Sequence, residues 1–321
     1  MEPQKKISLV LSLFNERDNV EKLFNRITEV ISSLPYRFEL IFTDDGSTDG
    51  TGGLIRKMSR ENEGAPPVWL ITLSRNFGHE AAMMAGIDHA TGDAVICMDA
   101  DLQHPPELIP EMLASFEQGN ESVLMIRSKN RGSSTGAGWL STLFYRFMNR
   151  LSEEHIRENA SDFFLISGKM AAILRKDFRE RHRFLRGIVQ VMGFPSASIP
   201  YEAPPRNAGK SNYSFVKLSS LTLTAITSFS KAPLYFGIWF GFGFAGISLI
   251  LGIYSLYTHF FGQTPPSGYT TLILFLSASF AILFFLVGII GIYVGYLLEE
   301  QKNRPLYLVK SSEHFDTEAT K

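Results

Sequence analysis

Between Ala232 and Thr258, and again between Leu272 and Leu298, the chain carries no charged side chain. Each run exceeds the roughly 20 apolar residues that cross the hydrocarbon core of a bilayer. A soluble helix of that length would show a polar face, so both runs are read as membrane spans. Gly237, Gly241, Gly243 and Gly246 in the first run, and Gly288, Gly291 and Gly295 in the second, are spaced for close helix contact. Such glycines serve either the hairpin itself or another subunit. The connection from His259 to Thr271, with Pro265 and Pro266, contains no Lys, Arg, Asp or Glu. Lys210, Lys217 and Lys231 precede the first run, and Lys302, Arg304 and Lys310 follow the second. The positive-inside rule therefore puts both ends, and everything N-terminal to the spans, in the cytoplasm.

The rest of the 321-residue chain has room for one large domain. A net charge of −1 gives no global field for nucleic acid. The single cysteine, Cys97, leaves no internal disulfide and reads as a small core residue. No cleavable leader is expected, because Lys5 and Lys6 run straight into an apolar strand. The expected organisation is a catalytic domain over residues 1–212, an interfacial region over 213–231, a helical hairpin over 232–300 and a tail over 301–321. In the interfacial region, Phe215, Leu218, Leu221, Leu223, Ala225, Ile226 and Phe229 alternate with Ser and Thr. They suit a helix at the membrane surface, with a domain-core helix as the alternative. The basic stretch Arg175, Lys176, Arg179, Arg181, Arg183 and Arg186 reads equally as a headgroup contact or a solvated face.

Three apolar segments in the N-terminal part end in polar turns: Ile7–Leu13 before Phe14–Asn15–Glu16, Leu40–Thr43 before Asp44–Asp45–Gly46–Ser47, and Asp93–Met98 before Asp99–Ala100–Asp101–Leu102–Gln103–His104. Strands separated by helical stretches describe an α/β doubly wound, Rossmann-like sheet, with ligands at the carboxyl ends of its strands. Neither glycine-rich phosphate fingerprint occurs at these turns. Phosphate handling then falls to a cation and basic side chains, and two carboxylates one residue apart suit a divalent ion that bridges a diphosphate. This points to sugar-nucleotide chemistry and away from kinases and dehydrogenases. A helix-capping turn before Pro105–Pro106–Glu107 is the plainer alternative for Asp99 and Asp101 taken alone.

With these motifs in this order, residues 5 to 305 resemble the polyprenyl-phosphate glycosyltransferases. These are membrane-anchored relatives of dolichyl-phosphate mannose synthase within the inverting glycosyltransferase family 2. Members that make undecaprenyl-phosphate glucose look most similar, and the resemblance implies a GT-A fold. Ser12–Leu13–Phe14–Asn15–Glu16 matches the family's Pro-Val-Tyr-Asn-Glu, which implies Phe14 beside the base and Glu16 near base or ribose. Asp44–Asp45–Gly46–Ser47 matches Asp-Asp-Gly-Ser, with Asp45 on the base imide and Ser47 on the nucleotide side. Asn76 and Gly78 belong to Ser74–Arg75–Asn76–Phe77–Gly78–His79, where the family's usual lysine is replaced by His79.

Asp99, Ala100 and Asp101 match the family's D-x-D, with Gln103 following as in the mannose synthases. The resemblance implies Asp101 as direct ligand to Mg2+ or Mn2+, Asp99 on ribose or metal, and Gln103 completing the shell. Arg127 and Arg131 match arginines that grip the acceptor phosphate, and Asp162, in Ala160–Ser161–Asp162–Phe163, matches the aspartate treated as general base. Arg206 and Lys210, near the family's Arg-x-x-Gly-x-Ser-Lys-Tyr, are candidates for the donor diphosphate.

The implied activity is transfer of a hexose, glucose from UDP-glucose, to polyprenyl (undecaprenyl) phosphate with inversion, at the cytoplasmic face of the plasma membrane. GDP-mannose or another UDP-sugar is the alternative donor. A silent membrane scaffold or transport subunit is the alternative in another class. The implied partners are the UDP-sugar, the lipid acceptor, membrane lipid and further copies of the chain, a tetramer among the options, with no nucleic acid. A processive synthase is disfavoured, since it needs more spans and no Gln-x-x-Arg-Trp is present.

Overall fold

The computed structural model describes residues 4–61, 66–128, 157, 159–181, 183–204, 232–261 and 268–316. They fall into two compact units: residues up to 204 together with 304–316, and the helices between 232 and 301. Among the sequence expectations, Arg131, Arg206, Lys210, the region 213–231 and Pro265–Pro266 lie outside the described residues.

In the first unit, strands β1 (Lys6–Leu13), β2 (Arg37–Asp44), β3 (Val68–Leu73) and β4 (Ala94–Asp99) alternate with helices α1 (Arg17–Ser32), α2 (Thr51–Glu61) and α3 (His79–His89). A 3-10 turn at Pro106–Leu108 and helix α4 (Ile109–Glu117) lead to β5 (Ser122–Arg127). Strand β6 (Ala160–Ser167), α5 (Gly168–Asp177), α6 (Leu185–Val191) and β7 (Ser196–Tyr201) follow. One 8-stranded sheet results, ordered β7-β5-β6-β4-β1-β2-β3-β8. Strands β1 to β4 are mutually parallel, with β1 between β2 and β4. The winding reverses there, so the crevice beyond the carboxyl ends of β1 and β4 is the switch point where such sheets bind ligands.

The alternation within β1 explains the two layers. Ile7, Leu9, Leu11 and Leu13 face a core shared with Val20, Leu23, Phe24 and Ile27 of α1. That 20, 23, 24, 27 spacing is one face of a helix, which is why α1 forms where it packs. On the opposite face α3 presses onto β1 so closely that a Cβ at Gly86 would stand 2.2 Å from Val10 Cγ1 and 3.0 Å from Thr43 Oγ1. Glycine at that position lets α3 sit against the sheet, and α3 carries His79 at its first turn.

The far end of the sheet is sealed by a buried carboxylate. Glu39 accepts from Ser8 Oγ, Thr91 N and Thr91 Oγ1, and Lys6 Nζ lies 2.7 Å away. Burial works to raise the Glu39 pKa, but these donors prevail and hold it below the ordinary value. Residues 309–315, inside the expected tail, form β8 (Val309–Phe315), which pairs antiparallel with β3. Its anchors are long-range: Trp69 stacks on His314 at 4.2 Å, and Arg56 pairs with Glu313 at 2.7 Å.

The second unit holds α7 (Ala232–Phe261) and α8 (Tyr269–Gln301), of 30 and 33 residues. At 1.5 Å per residue these are roughly 45 and 50 Å long, more than a bilayer core requires. Both are long and apolar enough to cross a membrane, over Gly241–Thr258 and Ala278–Gln301. They touch through Phe244 and Phe275, whose ring centres are 5.7 Å apart. A Cβ added at Gly241, Gly243, Gly246, Gly288, Gly291 or Gly295 would meet nothing within 4 Å. Among the described residues, then, these glycines do not make the contact within the hairpin.

Candidate active site

Four loops meet beyond β1 and β4, and short polar contacts fasten them together. Asn15, in the left-handed region at φ 56, donates its N–H to Ser47 Oγ, and its side-chain oxygen accepts from Thr48 N. Glu16 accepts from Asn19 Nδ2, and Phe14 lies 44% exposed beside it, open to a flat ligand. Asp45 is buried and spans to the next loop, where its two oxygens accept from Phe77 N and Gly78 N. Burial raises its pKa against those two donors. Gly46 is required between the loops: its φ is 73°, and a Cβ there would stand 2.7 Å from the Arg75 carbonyl carbon. Gly78, at φ 99, turns the chain into α3, while Arg75 stacks over Phe77 at 4.2 Å beside Asn76. Asp45 thus organises the 75–78 loop; Phe14 and Glu16 line the edge where a base was expected.

The acidic turn after β4 is built by left-handed backbone at Leu102, φ 64, which doubles the chain back. Asp99 N–H donates to His104 Nδ1 at 2.9 Å, so that ring nitrogen is an acceptor and the ring proton belongs on Nε2. His104 is buried, stacked on Phe163 at 5.2 Å, and burial pushes its pKa down. Asp101 Oδ1 accepts from Gln103 N, and Gln103 Oε1 accepts from Arg127 Nη2 at 2.9 Å. Arg127 is therefore joined to the acidic turn through Gln103. Ala100 is buried between the two carboxylates.

Strand β6 supplies the opposite wall. It runs antiparallel to β4 with Cys97 opposite Phe164, and continuing that register by two residues brings Asp162 level with Asp99. His79 reaches in between them from the first turn of α3. Its Nδ1 lies 3.4 Å from Asp99 Oδ1 and 3.1 Å from Ser12 Oγ, and its Nε2 lies 3.6 Å from Asp162 Oδ2. Ser12 Oγ in turn donates to Asp99 Oδ1 at 3.1 Å. Burial disfavours the imidazolium, but the carboxylates of Asp99 and Asp162 outweigh it and raise the His79 pKa to about 10. For Asp162, burial works upward, yet His79 and the Arg186 guanidinium hold it down at about 2. Arg186 Nη1 lies 3.6 Å from the same Asp162 oxygen. Glu80, next to His79, accepts from Leu185 N, and burial together with the charge of Asp162 raises it to about 7.

The donor set suits a divalent cation. Ligand atoms of His79, Asp99 and Asp162 lie within 4.8 Å of one another, and Asp162 Oδ1 is buried with no hydrogen-bond partner among the described residues. Carboxylates with an amide oxygen are the chemistry of Mg2+ and Mn2+ sites, and His79 could add a ligand only on losing its proton. In the sequence, His79 is marked only as the replacement for the family's usual lysine, and Arg186 only within a basic run that reads as a headgroup contact or a solvated face; neither is assigned there to the active site.

Residues 8–181 match the model of the family described as glycosyl transferase family 2. Over 95% of its length the chain is 33% identical to the uncharacterized glycosyltransferase YkcC of Bacillus subtilis (strain 168), covering 93% of that protein. It is 34% identical to the bactoprenol glucosyl transferase of Shigella phage SfII, over 96% of this chain and 98% of that one. The prophage bactoprenol glucosyl transferase homolog of Escherichia coli (strain K12) is 33% identical, over 95% and 98%. Among solved structures, glucosyl-3-phosphoglycerate synthase from Mycobacterium tuberculosis, in complex with Mn2+, UDP-glucose and phosphoglyceric acid, aligns with a TM-score of 0.48 at 19% identity, over 70% of this chain and 78% of that one.

Proposed function

The chain belongs to glycosyl transferase family 2, with a GT-A type sheet, and from that premise we propose that it transfers a hexose to polyprenyl phosphate at the cytoplasmic face of a membrane. The donor in this reading is UDP-glucose and the acceptor is undecaprenyl phosphate, in keeping with relatives named bactoprenol glucosyl transferase that match over nearly their full length. The observation that carries the reading is the meeting of Asp99 and Asp162 across β4 and β6, with His79 between them and Arg127 and Arg186 nearby.

Each residue has a proposed task. Phe14 and Glu16 take the base and ribose, with Ser47, Asn76 and Gly78 shaping that side. Asp99, Asp101 and Gln103 would hold Mg2+ or Mn2+, with Asp162 close enough to join them. When bound, the cation neutralises charge that develops on the leaving diphosphate. Arg206 and Lys210 are assigned to that diphosphate, and Arg127 and Arg131 to the acceptor phosphate. A phosphate oxygen of the lipid attacks the anomeric carbon on the face opposite the nucleotide, and the sugar inverts. The second pKa of a phosphate monoester is about 6, so this nucleophile is already largely ionised at neutral pH. Asp162 accordingly acts as a fixed charge beside the acceptor.

The two apolar helices anchor the enzyme where its acceptor resides, with both ends cytoplasmic in this reading. The test is a panel of UDP- and GDP-sugars given to purified protein with undecaprenyl phosphate and Mn2+, with the lipid product read by mass spectrometry. Glucosyl lipid from UDP-glucose is the expected product. Hydrolysis without lipid glycosylation, or no turnover of any donor, rejects the proposal.

A further inference from the structure

The run of arginines after α5 does not present one uniform face. Arg175 donates to the carbonyls of Ile87 and Ala90 and so closes the C-terminal end of α3. Arg179 pairs with both oxygens of Asp88, at 2.8 and 2.9 Å. Arg183 donates Nε to the Glu180 carbonyl. Arg186 alone among these four reaches the centre of the site, 3.6 Å from Asp162 Oδ2, with its guanidinium 4.6 Å over the Phe184 ring. The first turn of α6 is held there by Leu185 N–H donating to Glu80 Oε2, a residue of α3 next to His79. Two helices therefore fix where Arg186 stands.

The contacts run in a fixed order. Asp99 meets His79, His79 meets Asp162, and Asp162 meets Arg186. The D-x-D motif, to which the proposed function assigns the cation and donor, begins at the Asp99 end of this series, and Arg186 stands at the other end. The remaining anionic reactant is the acceptor phosphate. A guanidinium presents its N–H donors in a planar fork whose geometry suits phosphate. At 31% side-chain exposure it is reachable from solvent, while its stem and the Phe184 ring restrict its motion.

We propose that Arg186 is a further acceptor-side residue, which receives the phosphate of the prenyl acceptor while Asp162 orients it. This rests on the proposed transfer to a polyprenyl phosphate and names where that phosphate is held.

The test uses the full-length protein in detergent, as wild type, Arg186→Gln and Arg186→Lys, with farnesyl phosphate as acceptor probe. Binding is read by 31P NMR with UDP and Mn2+ present, so no turnover is needed, and donor affinity by calorimetry with UDP-glucose and Mn2+. Losing a hydrogen bond to a charged group should weaken farnesyl phosphate about 10- to 100-fold in Arg186→Gln. Donor affinity should stay within about twofold, and Arg186→Lys should fall between, keeping the charge but not the fork. Equal weakening of the donor overturns the proposal, and so does undiminished farnesyl phosphate binding in a folded variant. If Arg186→Gln fails to fold, Arg186→Lys decides by the same criteria. A wild type that binds no farnesyl phosphate rejects the functional reading itself, which separates the two failures.

Discussion

His79 Nε2 lies 3.6 Å from Asp162 Oδ2, and the two side chains set each other's charge. The histidine is raised to about 10 and the aspartate lowered to about 2, so the pair is ionised across the neutral range. A carboxyl with a pKa near 2 holds a proton taken from a phosphate of pKa about 6 only about once in 10⁴. In the proposed transfer its contribution is therefore electrostatic.

Asp162→Asn removes that charge while keeping the shape. We expect turnover to fall roughly 10²- to 10³-fold, comparable to losing one preorganised electrostatic group, with UDP binding intact. The ratio of wild-type to variant rate should stay flat between pH 6.5 and 9. A ratio that shrinks steadily as pH rises would restore Asp162 as a proton acceptor.

The same pair predicts how stability varies with pH. Because the folded pKa of His79 is raised from 6.5 to about 10, its contribution is complete below 6.5 and is lost as pH climbs through 10. Because Asp162 is lowered from 3.8 to about 2, its contribution is complete above 3.8 and is lost as pH falls through 2. Both are fully present only between those unfolded values. The gap in melting temperature between wild type and His79→Gln should thus be wide at pH 6 and narrow by pH 10. His79→Lys, which keeps a cation, should recover more activity than His79→Gln.

Chelation provides the third test. If the proposed oxygen ligands Asp99, Asp101 and Gln103 hold a cation, UDP-glucose binding measured by calorimetry should collapse in excess EDTA and return with Mn2+. Asp101→Ala should lose more cation affinity than Asp99→Glu, followed by the electron paramagnetic resonance of Mn2+. Undisturbed donor binding in chelator would remove the cation from the mechanism.

Gly86→Ala tests the packing that positions His79. The added methyl would overlap Val10 Cγ1, so α3 must move away from the sheet. Overpacking of this kind costs about 1–3 kcal/mol, visible as a lower melting temperature of the unit that carries the sheet. Activity should fall with it, since α3 carries His79. A variant as stable as wild type would mean that α3 yields more easily than its contacts suggest.

The sequence made the scaffold legible where local pattern and burial agree. Ile7–Leu13, Leu40–Thr43 and Asp93–Met98 are apolar runs that end in polar turns, and they correspond to β1, β2 and β4. Asp99 and Asp162 were singled out by motif, but their nearness depends on an antiparallel register between β4 and β6 that no local pattern encodes. His79 and Arg186 are more than a hundred residues apart and meet the same carboxylate only after folding. The arginine run split for the same reason: carbonyls at the end of α3 claimed Arg175, and Asp88 claimed Arg179. Asp45, expected at the base, reaches two backbone N–H groups of the neighbouring loop, a partnership that depends on how the loops converge.

Strand β8 gives the chain an order of assembly. It hydrogen-bonds to β3, yet it is encoded after both long apolar helices. During synthesis the ribosome must therefore deliver α7 and α8 before the last edge of the sheet can close. Until then β3 presents an open row of backbone donors and acceptors, the kind of edge on which nascent chains stick to one another. A stop codon just after α8 would make that exposure permanent, so such a truncation should accumulate as aggregate even with every active-site residue in place.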